Sequence, residues 1–229
     1  MSSAAASGVL RPASKPTPFF TPKLLATGAI LAAVLFFVAR YVFRYYLHYN
    51  ETAFTDPIRG AENYWVMRGW LLMHISGGMI AIVTGPFQFW TGFRTRYARV
   101  HRFMGYCFLT GVGVGVIGSV RMAIATTGNW AVSAWELGLA LAWFTTTSMA
   151  FYAILKRRIA VHKEWMVRAY VVTFAFVTFR ILNDFPPLSH VQPAGDRANM
   201  IGWACWAIPL LFTEVILQLR RTASPGPRL

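Results

Sequence analysis

Two histidines, His101 and His162, each open a long apolar stretch, in HRFMGY and HKEWMVRAY, and each is flanked by arginine or lysine. Imidazoles brought together at one depth of a bilayer can hold a transition metal, or grip the iron of haem b from opposite faces. Their basic surroundings allow a second reading, in which both rings meet anionic lipid headgroups or cap helix ends. No C-x-x-C or H-E-x-x-H spacing accompanies them to decide between the two.

A third histidine, His74, heads a line of small residues at helical spacing, Gly78, Ala81 and Gly85. Such a stripe lets a neighbouring helix approach closely, or leaves a slot for a flat cofactor. His74 then reads as an outer ligand or proton relay, or as a ring bonded to a neighbouring backbone or hydroxyl. His162, Ala169, Thr173 and Arg180 also share one helical line, because 18 residues make five turns of about 3.6. A lipid-facing arginine is costly, so Arg180 is expected to face the bundle. Glu136 and Asp184 are its expected partners, with Arg121 competing for the same acids. The alternative is a carboxylate or phosphate ligand clamped by Arg121 and Arg180. Glu214 falls at the depth of Arg168, where it can lock two helices or orient an inner histidine. Cys107 and Cys205 lie at opposite depths, too far apart to bond.

These side chains require a membrane scaffold. Of the 229 residues, 56% are hydrophobic and 13% charged, against about 45–50% and about 25% in soluble chains. A water-soluble enzyme, a disordered chain and a disulfide scaffold are excluded. The apolar residues fall into six blocks near the roughly 20 residues that a bilayer demands: Leu24 to Phe43, Gly69 to Trp90, Phe103 to Val120, Trp130 to Leu155, Trp165 to Leu182 and Met200 to Leu219. The expectation is an all-α polytopic bundle of six transmembrane helices over residues 24–219. Residues 1–23 and 220–229 are expected to be tails.

Alternation of the six spans sorts the charges. One side collects fifteen basic and two acidic residues, the other seven and six. By the positive-inside rule the basic side is cytoplasmic, and both termini lie there. Charge sorted loop by loop in this way argues for contact with anionic lipid headgroups rather than with nucleic acid. The chain contains no Walker loop, dinucleotide fingerprint, metalloprotease helix or nucleophile elbow.

Taken in order, HISGGMIAIVTGPFQFW (His74 to Trp90), HRFMGY (His101 to Tyr106), HKEWMVRAYVVTFAFVTFR (His162 to Arg180) and WACWAIPLLFTE (Trp203 to Glu214) resemble the bacterial predicted membrane proteins of domain of unknown function 2306. The resemblance covers roughly Trp65 to Gln218. It implies that His74, His101, His162, Arg168, Arg180 and Glu214 are the family's polar positions. That family is similar in helical layout to two-haem b-type membrane cytochromes, whose haems are held by histidine pairs. This chain departs from the two-haem pattern, offering an inner pair and a single outer histidine within its spans. The leading expectation is a redox-linked inner-membrane protein with haem b or a metal on His101 and His162, exchanging electrons with a quinone or small carrier. A non-catalytic assembly factor or chaperone for a respiratory complex, and a small transporter, are the alternatives.

Overall fold

The computed structural model of the protein describes residues 22–50, 65–125, 130–191 and 194–223. Most of the N-terminal tail, the end of the C-terminal tail and the outer acids Glu51, Asp56 and Glu62 lie outside the described residues. Every regular element among them is helical, as lipid requires of a chain that must satisfy its own backbone groups.

The chain enters through α1 (Pro22–Phe37), a π-helical stretch at Val38–Val42 and α2 (Phe43–Leu47). Then come α3 (Arg68–Phe89), the short α4 (Thr91–Arg96), α5 (Ala98–Ala125) and α6 (Trp130–Leu155). They are followed by α7 (Ile159–Thr173), α8 (Ala175–Asn183), α9 (Pro186–Ser189) and α10 (Ala194–Ala223). Among the described residues, five helices are long and apolar enough to cross a membrane: α3, α5, α6, α7 continued by α8, and α10. The expected first span is helical too, but its apolar stretch, Gly28–Arg40, is shorter. Arg40 ends it, inside the π-helical turn where the Phe43 N–H bonds back to the Val38 carbonyl.

Several helices begin earlier or end later than their apolar blocks. Helix α5 starts at Ala98 and α7 at Ile159, because the polar flanks HRF and HKE continue the helix instead of breaking it. Helix α10 takes in Arg220 and Arg221, where a tail was expected.

Helices α3 and α5 meet backbone to backbone. A Cβ on Gly77 would stand 2.4 Å from the Gly111 carbonyl oxygen, and one on Gly118 would stand 2.6 Å from that of Trp70. The Gly111 and Gly115 pair thus serves close packing. The partner surface on α3 runs through His74, Gly77 and Ala81, and a Cβ on Gly78 itself would meet nothing within 4 Å. Around this seam Phe108, Val112, Trp143, Met166 and Val172 form one buried core. Val34 and Val38 pack with Ile75, Ile82 and Met122 in a second, which fixes α1 to the bundle's side.

Two irregularities set the geometry of α7. Between α6 and α7, Arg157 takes a left-handed φ of 56°. Arg158 N–H then bonds the Ala153 carbonyl, and Arg157 N–H that of Ile154, the Schellman pattern that ends a helix sharply. This turn folds α7 straight back along α6. Further along, Pro86 in α3 has no N–H to give the Ile82 carbonyl one turn earlier. The Tyr170 hydroxyl donates to that oxygen at 3.0 Å, and its ring occupies the space above Gly85, where a Cβ would lie 1.9 Å from the ring.

Candidate functional site at the basic end

Helices α3, α6 and α10 end, and α5 and α7 begin, at the end of the bundle that carries Arg94, Arg96, Lys156 and Arg157. A cavity of about 640 Å³ opens there between the end of α3, α4, α5, α6 and α7. It lies within the roughly 300–1,000 Å³ usual for small-molecule sites.

His101 and His162 both line it. Each is the fourth residue of its helix, and its N–H bonds a carbonyl just outside the helix start, that of Tyr97 for His101 and of Arg158 for His162. The common depth expected of the two rings thus follows from matched positions on parallel helix starts. Nδ1 of His162 lies 2.9 Å from the Ala150 carbonyl oxygen. A carbonyl only accepts, so Nδ1 must donate, and the lone pair of a neutral ring is left on Nε2. Nδ1 of His101 is buried and has no hydrogen-bond partner among the described residues.

The cavity walls are apolar, formed by Phe108, Leu109, Phe151, Ile154 and Met166 among others, while Arg94, Arg102 and Lys163 add three cations and no acid lines it. Gly105, one turn beyond His101, leaves open space toward the cavity. A Cβ there would meet only the Gln88 amide oxygen, at 3.5 Å. Gln88, at the end of α3, also directs its amide at the His101 carbonyl, 3.5 Å away.

His74 is not part of this cavity. Its Nδ1 donates to the Gly115 carbonyl at 2.9 Å, fourteen residues along α5 from His101, or about 21 Å at the usual rise. The His74 ring meets Trp143 edge to face at 6.4 Å, and Trp143 in turn donates its indole N–H to the Thr173 hydroxyl at 2.8 Å.

The charged candidates divide likewise. Arg168, 6% exposed, holds Glu214 at 2.6 Å and lies over the Trp165 ring. Gln218 bonds the other Glu214 oxygen, and Glu164 pairs with Arg221. Glu214 therefore ties α7 to α10, and the acceptor that orients a histidine is the Ala150 backbone. Arg180 forms no ion pair with Glu136 or Asp184; its guanidinium lies over Phe176, one turn back on its own helix, and its Nε is buried without a hydrogen bond. Glu136 is buried on α6. Arg121 lies over Trp70 of α3 and is exposed. The described residues bring no three His, Cys, Asp or Glu side chains together in a metal-binding group. Cys107 and Cys205 are both free thiols.

The cavity was missed at Gln88, Arg94 and Phe108. The signal available was the one-turn spacing of His101, Gly105 and Phe108–Leu109, which puts a small residue and large apolar ones on the face that carries the imidazole.

Among the described residues, an all-helical bundle with five helices long and apolar enough to span a bilayer, and a cationic cavity at one end, defines an integral membrane protein. Residues 71–217 match the family described as predicted membrane protein (DUF2306), and the chain belongs to that family. No curated protein matches it, and no solved structure does.

Proposed function

We propose that this is a redox-linked membrane protein whose basic-end cavity holds haem b, with His101 and His162 as the iron ligands. The observation that carries the reading is the pairing of two imidazoles on the wall of one apolar, cation-rimmed cavity. The donor set fits: two nitrogens suffice for haem iron, which the macrocycle already holds. A bare transition metal fits less well, since the described residues add no third ligating side chain to the pair.

Haem, when bound, supplies reversible one-electron transfer. The chain's own contribution is physical. The Ala150 carbonyl fixes the His162 ring and its tautomer, the type of outer contact that orients metal-binding histidines. Phe108 and Met166 keep the floor dry, and Arg94, Arg102 and Lys163 offer charge to the acidic edge of the ligand. In this reading His74, about 21 Å along the bundle, serves as a separate proton relay. The electron partner in this reading is a quinone, or a respiratory complex reached through a small carrier.

The same reading places the basic end in the cytoplasm of a bacterial cell, against anionic headgroups of the inner membrane. Leu24–Phe43 is then the first of six spans, with both termini inside.

Visible spectra of the detergent-purified protein, oxidised and dithionite-reduced, with metal analysis on the same sample, test the proposal. A Soret band is expected that His101→Ala and His162→Ala each abolish and His74→Ala leaves intact. A colourless, metal-free preparation from haem-replete cells overturns it and points to the assembly-factor or transporter alternatives.

A further inference from the structure

We infer that the basic-end cavity selects amphiphiles bearing carboxylates, recognised at its mouth by Arg94, Arg102 and Lys163. The inference rests on the reading that this cavity is a ligand site, and it does not depend on iron. Its first support is charge. Three cations line the cavity and, among the described residues, no aspartate or glutamate does. None of the three takes part in a salt bridge among the described residues.

The second support is the distribution of polarity along the cavity. Beyond the cations and the two imidazoles, the walls are aromatic and aliphatic, with Phe108 1% exposed at the floor. A ligand that satisfies both ends carries acid at one end and an extended apolar body at the other. An uncharged amphiphile would forgo the charge-assisted contact that the cations offer, and a small anion would leave the apolar walls without a partner. Buried His101 Nδ1, which has no hydrogen-bond partner, offers a further polar contact just inside the mouth.

Iron-free protoporphyrin and its dimethyl ester share one apolar body and differ only in their two carboxylates. Their affinities for the full-length protein in discs of zwitterionic lipid are therefore the test, read by fluorescence anisotropy. The acid is expected to bind at least about tenfold tighter, equivalent to 1.4 kcal/mol. Arg102→Gln combined with Lys163→Gln should reduce that preference to below about threefold, a loss of more than 0.7 kcal/mol. Arg99→Gln, exposed on the same end and outside the cavity, should leave it unchanged. Palmitate should displace the bound acid and methyl palmitate should not.

Equal affinity for acid and ester overturns the inference. So does absence of binding by both, or a preference that survives neutralising Arg94, Arg102 and Lys163 together. The outcome is separable from that of the haem proposal. Acid preference without a Soret band refutes only the redox reading, and a histidine-dependent Soret band without acid preference refutes only this one.

Discussion

Substitution of Tyr170 by Phe removes a single hydroxyl and leaves the ring contacts with Phe89 at 5.4 Å and Phe174 at 5.2 Å to be made by phenylalanine. What is lost is the bond to the Ile82 carbonyl at 3.0 Å. Pro86 cannot supply the missing donor, and Ile82 is 5% exposed, so neither the helix nor water replaces it. An unsatisfied buried carbonyl costs about 1–3 kcal/mol, while interhelical hydrogen bonds in membranes average about 0.6 and reach about 1.7 kcal/mol. The expected cost of Tyr170→Phe is therefore about 1–1.5 kcal/mol, at the upper part of the membrane range, because this acceptor lacks its helical donor. Pro86→Ala restores that donor, so the same substitution in a Pro86→Ala background should cost about 1 kcal/mol less. Reversible unfolding in mixed micelles, followed by circular dichroism, measures all four corners of the cycle. A Tyr170→Phe cost below about 0.3 kcal/mol, or an equal cost in both backgrounds, refutes the reasoning.

Three further outcomes are expected. Gly118→Val places a side chain 2.6–2.7 Å from the backbone of Trp70 and His74, which cannot move without separating α3 from α5. It should cost about 3 kcal/mol or more and lower the yield of folded protein, with Gly78→Ala as a near-neutral control in the same unfolding assay. Arg157→Gly removes the strain of a left-handed non-glycine residue, worth about 1 kcal/mol, and should raise the detergent melting temperature. Gly105→Leu fills space that opens into the cavity; it should weaken protoporphyrin binding by about tenfold or more while the melting temperature stays within about 2 °C of the parent.

The spanning helices were legible because a bilayer imposes a length and a polarity that composition reports directly. Their ends were not, since Ala98–Arg102 and Ile159–Glu164 are polar yet helical. The depth of His101 and His162 could be read from where each apolar stretch begins. That both rings face the same cavity depends on the rotation of α5 and α7, which the Arg157 turn and the glycine seam set. Rotation also explains the misreadings. One residue is about 100° around a helix, so the expected line keeps His74 and Ala81 on the seam, against Gly118 and Gly111, while the closest approach runs through Gly77 beside Gly78. Arg180 and Glu136 illustrate the same limit. Sequence placed them at comparable depth, but the arginine lies along its own helix over Phe176. The Ala150 carbonyl has no sequence signature at all, since every residue has one and only packing decides which a histidine reaches.

The central claim is that His101 and His162 together hold haem b. Haem per polypeptide, measured as the pyridine haemochrome of protein purified from haem-replete cells, tests it most directly. About one haem per chain is expected, with two histidine ligands to the iron, lost when either His101 or His162 is replaced by alanine. Haem-free protein from the same cells, or full haem content in both alanine variants, would contradict it.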